Sequence, residues 1–295
     1  MPPKASTEPR PGRPTLWVLG IAAVLLLAGV LYSLYRQTGM ADGLDQTGVM
    51  ILTLSLFSPI IVSAFAGAAF GLIAPRLVKG PQKATAALGF TVLGLVAAVA
   101  VYLLFMVDAS IALAVALVLF GSALIGGAFT LPKRSLPVAA GLWATLLLLV
   151  FMFLRGLLES TSIELSSDPL EEYGMIGTAS PFIIGLACGM LTFAYLRKRK
   201  GDTKMMGYLL AGAFPGAVWL VATIAAQIGV EVLLAIGIDN LSVLDDGYLA
   251  MAFQSQYNGS MTAMFAGAFC SVLAYGLLMP KKPKATAQAK AAKSS

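Results

Sequence analysis

Histidine is missing from this chain of 295 residues. With it go the commonest protein metal ligand, a usual haem ligand and the side chain that moves protons near neutral pH. Neither a zinc site nor Ser-His catalysis is expected. Cysteine is nearly missing: Cys188 and Cys270 both sit inside apolar stretches, where a thiol behaves as a small hydrophobe. Charge is scarce as well. Only 12% of residues are charged, about half the share usual in soluble domains, while 58% are hydrophobic. The phosphate-binding and dinucleotide glycine loops, the Gly-x-Ser-x-Gly elbow and the His-Glu-x-x-His zinc motif are absent from the sequence too. No catalytic residue, cofactor or metal is expected, and the chain does not read as an enzyme.

What the chain has is long apolar runs. Eight candidate spans cover about 15–35, 49–74, 85–107, 109–131, 136–158, 177–196, 205–232 and 255–279. Each is long enough to cross about 30 Å of hydrocarbon as a helix. Within lipid every backbone group needs an internal partner, so a span is either a helix or part of a closed barrel. The alternating segments of about ten residues that mark a barrel are not visible. The first run follows Lys4, Arg10 and Arg13 as a signal sequence would, but it exceeds the usual apolar core of about 7–15 residues. Its end, Tyr32-Ser33-Leu34-Tyr35-Arg36, offers no small-x-small cleavage site, so it is expected to remain as a span.

Charges are sorted by connection. One set of alternate connections carries Lys4, Arg10 and Arg13; Arg76, Lys79 and Lys83; Lys133 and Arg134; Arg197 through Lys200 with Lys204; and the C-terminal lysines from Lys281 to Lys293. The other set carries Asp42, Asp45 and Asp108, then Glu159, Glu164, Asp168, Glu171 and Glu172, then Glu231, Asp239, Asp245 and Asp246. Arg36 and Arg155 are the basic residues that break the sorting. The positive-inside rule then places both termini in the cytoplasm of a bacterial inner membrane. The net charge of +6 is divided among short loops and tails rather than forming one patch, so a nucleic-acid partner is not expected. The expected fold class is an all-α integral membrane protein of eight transmembrane helices in four hairpins. Residues 1–14 and 281–295 are expected as disordered cytoplasmic tails, around a membrane domain at 15–280.

Internal matches support repetition. Leu44-Asp45 leading to Phe65-Ala66-Gly67-Ala68 returns as Leu244-Asp245 leading to Phe265-Ala266-Gly267-Ala268. Spans two and six share a Ser-Pro step, Ser58-Pro59 and Ser180-Pro181, with Gly67 and Gly189 at the same later position. All hairpins would enter from one side, making the repeat a parallel one.

Three groups of residues are candidates for function. Gly67, Gly189 and Gly267, with neighbouring small residues, form faces on which helix backbones approach closely; the alternative is that they line a narrow pathway. Pro59 and Pro181 each free a backbone carbonyl, and broken helices present such groups to solutes or ions in transporters. Ser58 and Ser180 beside them could bind a solute or simply stabilise a kink. Arg155 with Glu159, and Gln227 with Glu231, are spaced four apart and expected as polar pairs at the outer mouth. The acidic stretches 159–176 and 239–258 either mirror charge sorting or dock a basic extracytoplasmic partner. Within the second, Leu241, Leu244, Tyr248, Leu249 and Phe253 follow helical spacing and suggest a segment lying in the membrane interface. Membrane lipids are the expected partners in every case. The resulting reading is a channel or secondary transporter for a small solute or ion. The alternative is a non-catalytic subunit or assembly factor of a larger membrane complex, favoured by the lack of intramembrane charge.

Overall fold

The computed structural model describes residues 11–39, 52–53, 55–105, 108–132, 135–160, 169–199, 204–237 and 243–279, the side chains of 13, 38–39, 156–160, 169–178, 237 and 243–245 excepted. Among these residues eight helices are long and apolar enough to cross a membrane. They are α1 (Arg13–Gly39), α2 (Phe57–Leu77), α3 (Gln82–Leu104), α4 (Ala109–Ala128), α5 (Ser135–Ser160), α6 (Pro169–Lys198), α7 (Met205–Gly237) and α8 (Val243–Leu278). The protein is thus all-helical and multi-pass in character. The tails at 1–10 and 280–295, with Leu44 and Asp45, lie outside the described residues.

Local chemistry sets the helix ends. Asp108 caps α4: its carboxylate accepts the Ser110 N–H at 2.8 Å and the Ser110 hydroxyl. That hydroxyl first, and the N–H second, hold the carboxyl below its ordinary pKa. Pro81 precedes α3, where a missing N–H does no harm. Of the stretch expected to lie in the interface, residues 243–258 form the beginning of α8, and Leu241 lies outside the described residues. Helical spacing there continues into the apolar run, giving one helix of 36 residues, about 54 Å at 1.5 Å per residue.

Contacts gather the described helix ends into two sets. At one end the start of α1 meets the ends of α2 and α6: Arg76 Nη2 donates to the Pro11 carbonyl at 2.7 Å, and Arg199 Nη2 to Thr15 Oγ1 at 2.8 Å. Leu136 of α5, Leu196 of α6, Tyr208 of α7 and Ala274 of α8 share a small apolar cluster, which brings these helix ends together. The other end brings Tyr35 of α1 to Phe105 after α3, Arg155 of α5 to Ser180 of α6, and Tyr257 of α8 to Gln227 of α7. The described basic connections share the first of these ends, and the Asp108 turn lies at the other.

Packing divides the helices by fours. In the first group α2, α3 and α4 all touch one another and α1 lies on α2. In the second, α6, α7 and α8 all touch one another, with α5 on α6 and α7. In both groups the second, third and fourth helices touch one another and the first lies on the second. The groups join where α2 and α4 meet α7 and where α1 and α2 meet α5. This makes α2 the most buried helix of the eight. One difference separates the groups. α5 and α7 pack together, whereas α1 and α3 leave an apolar groove of about 260 Å³ between them, lined by Tyr32, Tyr35, Val101 and Phe105.

Candidate functional site

The nominated glycines are contact points between helices. A Cβ on Gly67 would run into the backbone of Ala123 in α4, and one on Gly126 into the backbone of Ala64 in α2. In the second group, a Cβ on Gly189 would lie 2.5 Å from the Gly267 carbonyl oxygen of α8, and one on Gly267 would strike the Gly212 carbonyl of α7. Only glycine permits such approach. Gly67 and Gly189 therefore occupy equivalent places: each sits where the second helix of its group presses on the fourth. None of the three nominated glycines faces open space.

The contact between the two groups is built differently. Among the described glycines, every one whose Cβ would come within 3 Å of backbone on a non-adjacent helix finds it inside its own group. Across the seam, Gly229 of α7 meets only the side chain of Val118 in α4, at 3.0 Å from its methyls. The Phe129 ring, just after α4, stands edge-on to Phe214 of α7, centroids 5.4 Å apart. At the basic end Arg199 spans the seam, contacting Thr15 and Gly12. These seam contacts are made by side chains, whereas the close backbone approaches of the described glycines lie inside the groups.

The two Ser-Pro steps differ in setting. Pro59 is buried in the first turn of α2, and Ser58 beside it is exposed. Upstream, the Ser55 hydroxyl donates to the Leu52 carbonyl at 2.8 Å, while the Leu56 N–H turns to Thr53 instead. The hydroxyl thus covers an acceptor that the distorted backbone has released. That chemistry stabilises a bend. Pro181 is buried within α6, 3.4 Å from the position of a Cβ on Gly259 of α8. Its neighbour Ser180 accepts a hydrogen bond from Arg155 Nη1 at 3.3 Å.

Of the expected outer pairs, Gln227 and Glu231 are joined: Gln227 Nε2 donates to Glu231 Oε1 at 3.2 Å. Tyr257 OH donates to Gln227 Oε1 at 2.7 Å, and Trp219 Nε1 to Gln256 Oε1 at 2.8 Å, so this end of α7 is tied to α8. Glu231 itself is exposed. The Glu159 side chain lies outside the described residues. Arg155 bridges to Ser180 on the next helix, a partner that residue spacing could not reveal. Two further ties in the second group also escaped the sequence. The Ser271 hydroxyl donates to the Tyr208 carbonyl at 3.0 Å, and the Cys188 thiol to the Ala144 carbonyl at 3.2 Å. Among the described residues no three His, Cys, Asp or Glu side chains converge on a point that could hold a metal.

No protein-family model matches the chain, and neither a curated protein nor a solved structure is similar to it. The functional reading rests on the geometry alone.

Proposed function

We propose that the protein is a secondary transporter or channel for a small solute or ion. In this reading it lies in a bacterial cytoplasmic membrane with both termini inside, and it is not an enzyme. One observation carries it: two four-helix groups of similar packing, in which the described glycines bring backbones together, meet at contacts made by side chains. Parallel repeats that rock against each other are a known way to expose a midplane site alternately to either side. A side-chain seam can slide and repack at modest cost, whereas glycine-mediated helix contacts resist separation. The outer part of α6, where Ser180 and Arg155 meet beside buried Pro181, is the polar end of that design. Scarcity of intramembrane charge argues that movement is not coupled to a buried carboxylate.

The test uses the seam. A Cβ on Gly229 lies 3.6 Å from the Val118 Cβ, within the span that a disulfide bridges. In a Cys188→Ser, Cys270→Ala background, Val118→Cys with Gly229→Cys is reconstituted into liposomes. Flux is read by light scattering for small neutral solutes and by ion-sensitive dyes. The expected result is flux above protein-free vesicles that stops on oxidation and returns on reduction. Absence of any flux, with stoichiometric recovery of other membrane proteins in mild detergent, would sink transport and leave the complex-subunit reading. Orientation is checked in intact cells with an impermeant thiol reagent. Ala109→Cys is expected to label and Lys79→Cys to stay dark until the membrane is opened.

A further inference from the structure

The basic end holds a cleft that the transport reading does not use. Its volume is about 240 Å³, and it lies among α2, α3, the end of α4, the start of α5 and the segment before α1. Its rim is exposed and polar: Arg76 and Gln82 stand there, with Lys79 and Lys83 exposed beside them in sequence. Its floor is buried and includes Gly71 and Thr130; a Cβ on Gly71 would collide with the Thr130 hydroxyl, so glycine lets α2 close against the end of α4 beneath the cleft. Ser135 contributes a hydroxyl from α5.

We propose that this cleft binds a phosphate group, of a lipid headgroup or of a soluble phosphate compound. The polar side chains of the lining are Arg76, Gln82, Thr130 and Ser135, with no acid among them. Arg76, whose Nη2 also donates to the Pro11 carbonyl at 2.7 Å, brings the positive charge of its guanidinium to the rim. Gln82 brings an amide and Ser135 a hydroxyl. Thr130 now donates to the Gly127 carbonyl at 2.6 Å, so its oxygen is held in place at the floor. Gln82 is also the first residue of α3, a helix start with no side-chain cap, where the helix dipole favours an anion. Among the described residues no Asp or Glu shares this end of the bundle. The sequence also places Lys133 and Arg134 directly before Ser135. Basic pockets between helix ends on the cytoplasmic side are where anionic headgroups settle. The volume exceeds a bare phosphate and leaves room for an attached glycerol or similar group. Because Ser135 belongs to the second helix group and Arg76 to the first, the bound anion would touch both sides of the seam.

The test measures thermal stability of the purified full-length protein in a neutral detergent, with phosphatidylglycerol, phosphatidylcholine or inorganic phosphate added in turn. Phosphatidylglycerol is expected to raise Tm by several degrees and phosphatidylcholine to leave it unchanged. A rise with inorganic phosphate as well would assign the cleft to soluble phosphate chemistry. Arg76→Gln is expected to weaken the effect about tenfold in ligand concentration. Gln82→Glu is the safer variant, because an exposed acid at the start of α3 favours the helix while repelling an anion. It is expected to fold normally and to lose the response. No rise with either anion, or an undiminished rise in Gln82→Glu, would overturn the proposal.

Discussion

Inside each four-helix group, glycines bring backbones together; between the groups, side chains do the joining. Gly67 against Ala123 and Gly189 against Gly267 belong to the first kind, Gly229 against Val118 and Phe129 against Phe214 to the second. In lipid there is no hydrophobic drive to hold helices together, so tightness of approach becomes the main source of cohesion. The difference therefore marks which parts of the molecule stay together and which can shift. It also explains how a chain so rich in glycine keeps its shape: many of the described glycines occupy sites where any larger residue would separate two helices.

Breaking a group from within is expected to have the largest effect. Gly267 faces Gly212 on α7, and its Cβ position is 3.2 Å from the Gly185 carbonyl on α6. Gly267→Val should therefore prise three helices apart at once, at a cost of about 3 kcal/mol or more. The measurement is the fraction of monodisperse protein and its Tm in detergent; a Tm within about a degree of the parent would contradict backbone-tight packing. Gly126→Val should do the same in the first group. Gly276→Ala is the control, since nothing lies within 4 Å of a Cβ there. It should be neutral or slightly stabilising, as expected of alanine for glycine in a helix.

At the seam the expected effect is smaller. Gly229→Ala places its methyl 3.0 Å from the Val118 methyls, which can turn aside. A loss of about 1 kcal/mol or less is expected, with flux altered more than Tm. A loss as large as that of Gly267→Val would erase the distinction between the two kinds of contact.

Smaller again is the effect expected at the first proline step. Ser55→Ala strips the Leu52 carbonyl of its hydroxyl donor, and a loss of about 1 kcal/mol or less is expected. Pro59→Ala should be nearly silent, because the ring occupies the first turn of α2, where its missing N–H costs nothing. Thermal unfolding of the pair of variants separates a bend held by Ser55 from one held by proline. Were Pro59→Ala instead to abolish flux with Tm unchanged, the step would belong to the pathway after all.

These expectations depend on knowing which faces meet, and that was the part the sequence left unreadable. The apolar runs and the absence of charge within them announced eight membrane helices, because hydrocarbon imposes that length and composition on any span. Pairing is set by surfaces of Ala, Gly and Leu that look alike in one dimension. The two internal matches show the result. The Ser-Pro step with its later glycine joins α2 to α6, which hold equivalent places in the two groups. The Phe-Ala-Gly-Ala match joins α2 to α8, which do not: Phe65 is fully buried, while Phe265 is 63% exposed. Grouping by fours is also coarser than the four-hairpin arrangement expected from sequence. Among polar residues, spacing along a helix brings Gln227 within reach of Glu231, to which it donates. It could offer nothing for Arg155 and Ser180, whose meeting depends on two helices packing side by side. Arg199 read only as one of the charges that set orientation, yet it reaches across the seam to Thr15.

The smallest expected effect lies at the Asp108 turn, which belongs wholly to the first group and so should affect stability without touching the seam. Ser110 lowers the carboxyl pKa of Asp108 from its ordinary value of 3.8, through its hydroxyl first and its N–H second. A lowered folded pKa means that the unfolded chain takes up the proton more readily. The carboxylate therefore stabilises the fold above the ordinary value, and that contribution disappears as pH falls through the folded value. The Tm difference between the parent and Asp108→Ala should be constant from neutral pH down to about pH 5, then shrink in more acid solution. The difference should be slight throughout, because the group is fully exposed and solvent screens it. Asp108→Asn separates charge from capping: it keeps an acceptor for the Ser110 N–H, so it should retain most of the neutral-pH stability while losing the acid dependence. If Asp108→Ala instead altered flux as Gly229→Ala is expected to, a turn within one group would be coupled to the seam. The two groups would then not move as separate bodies.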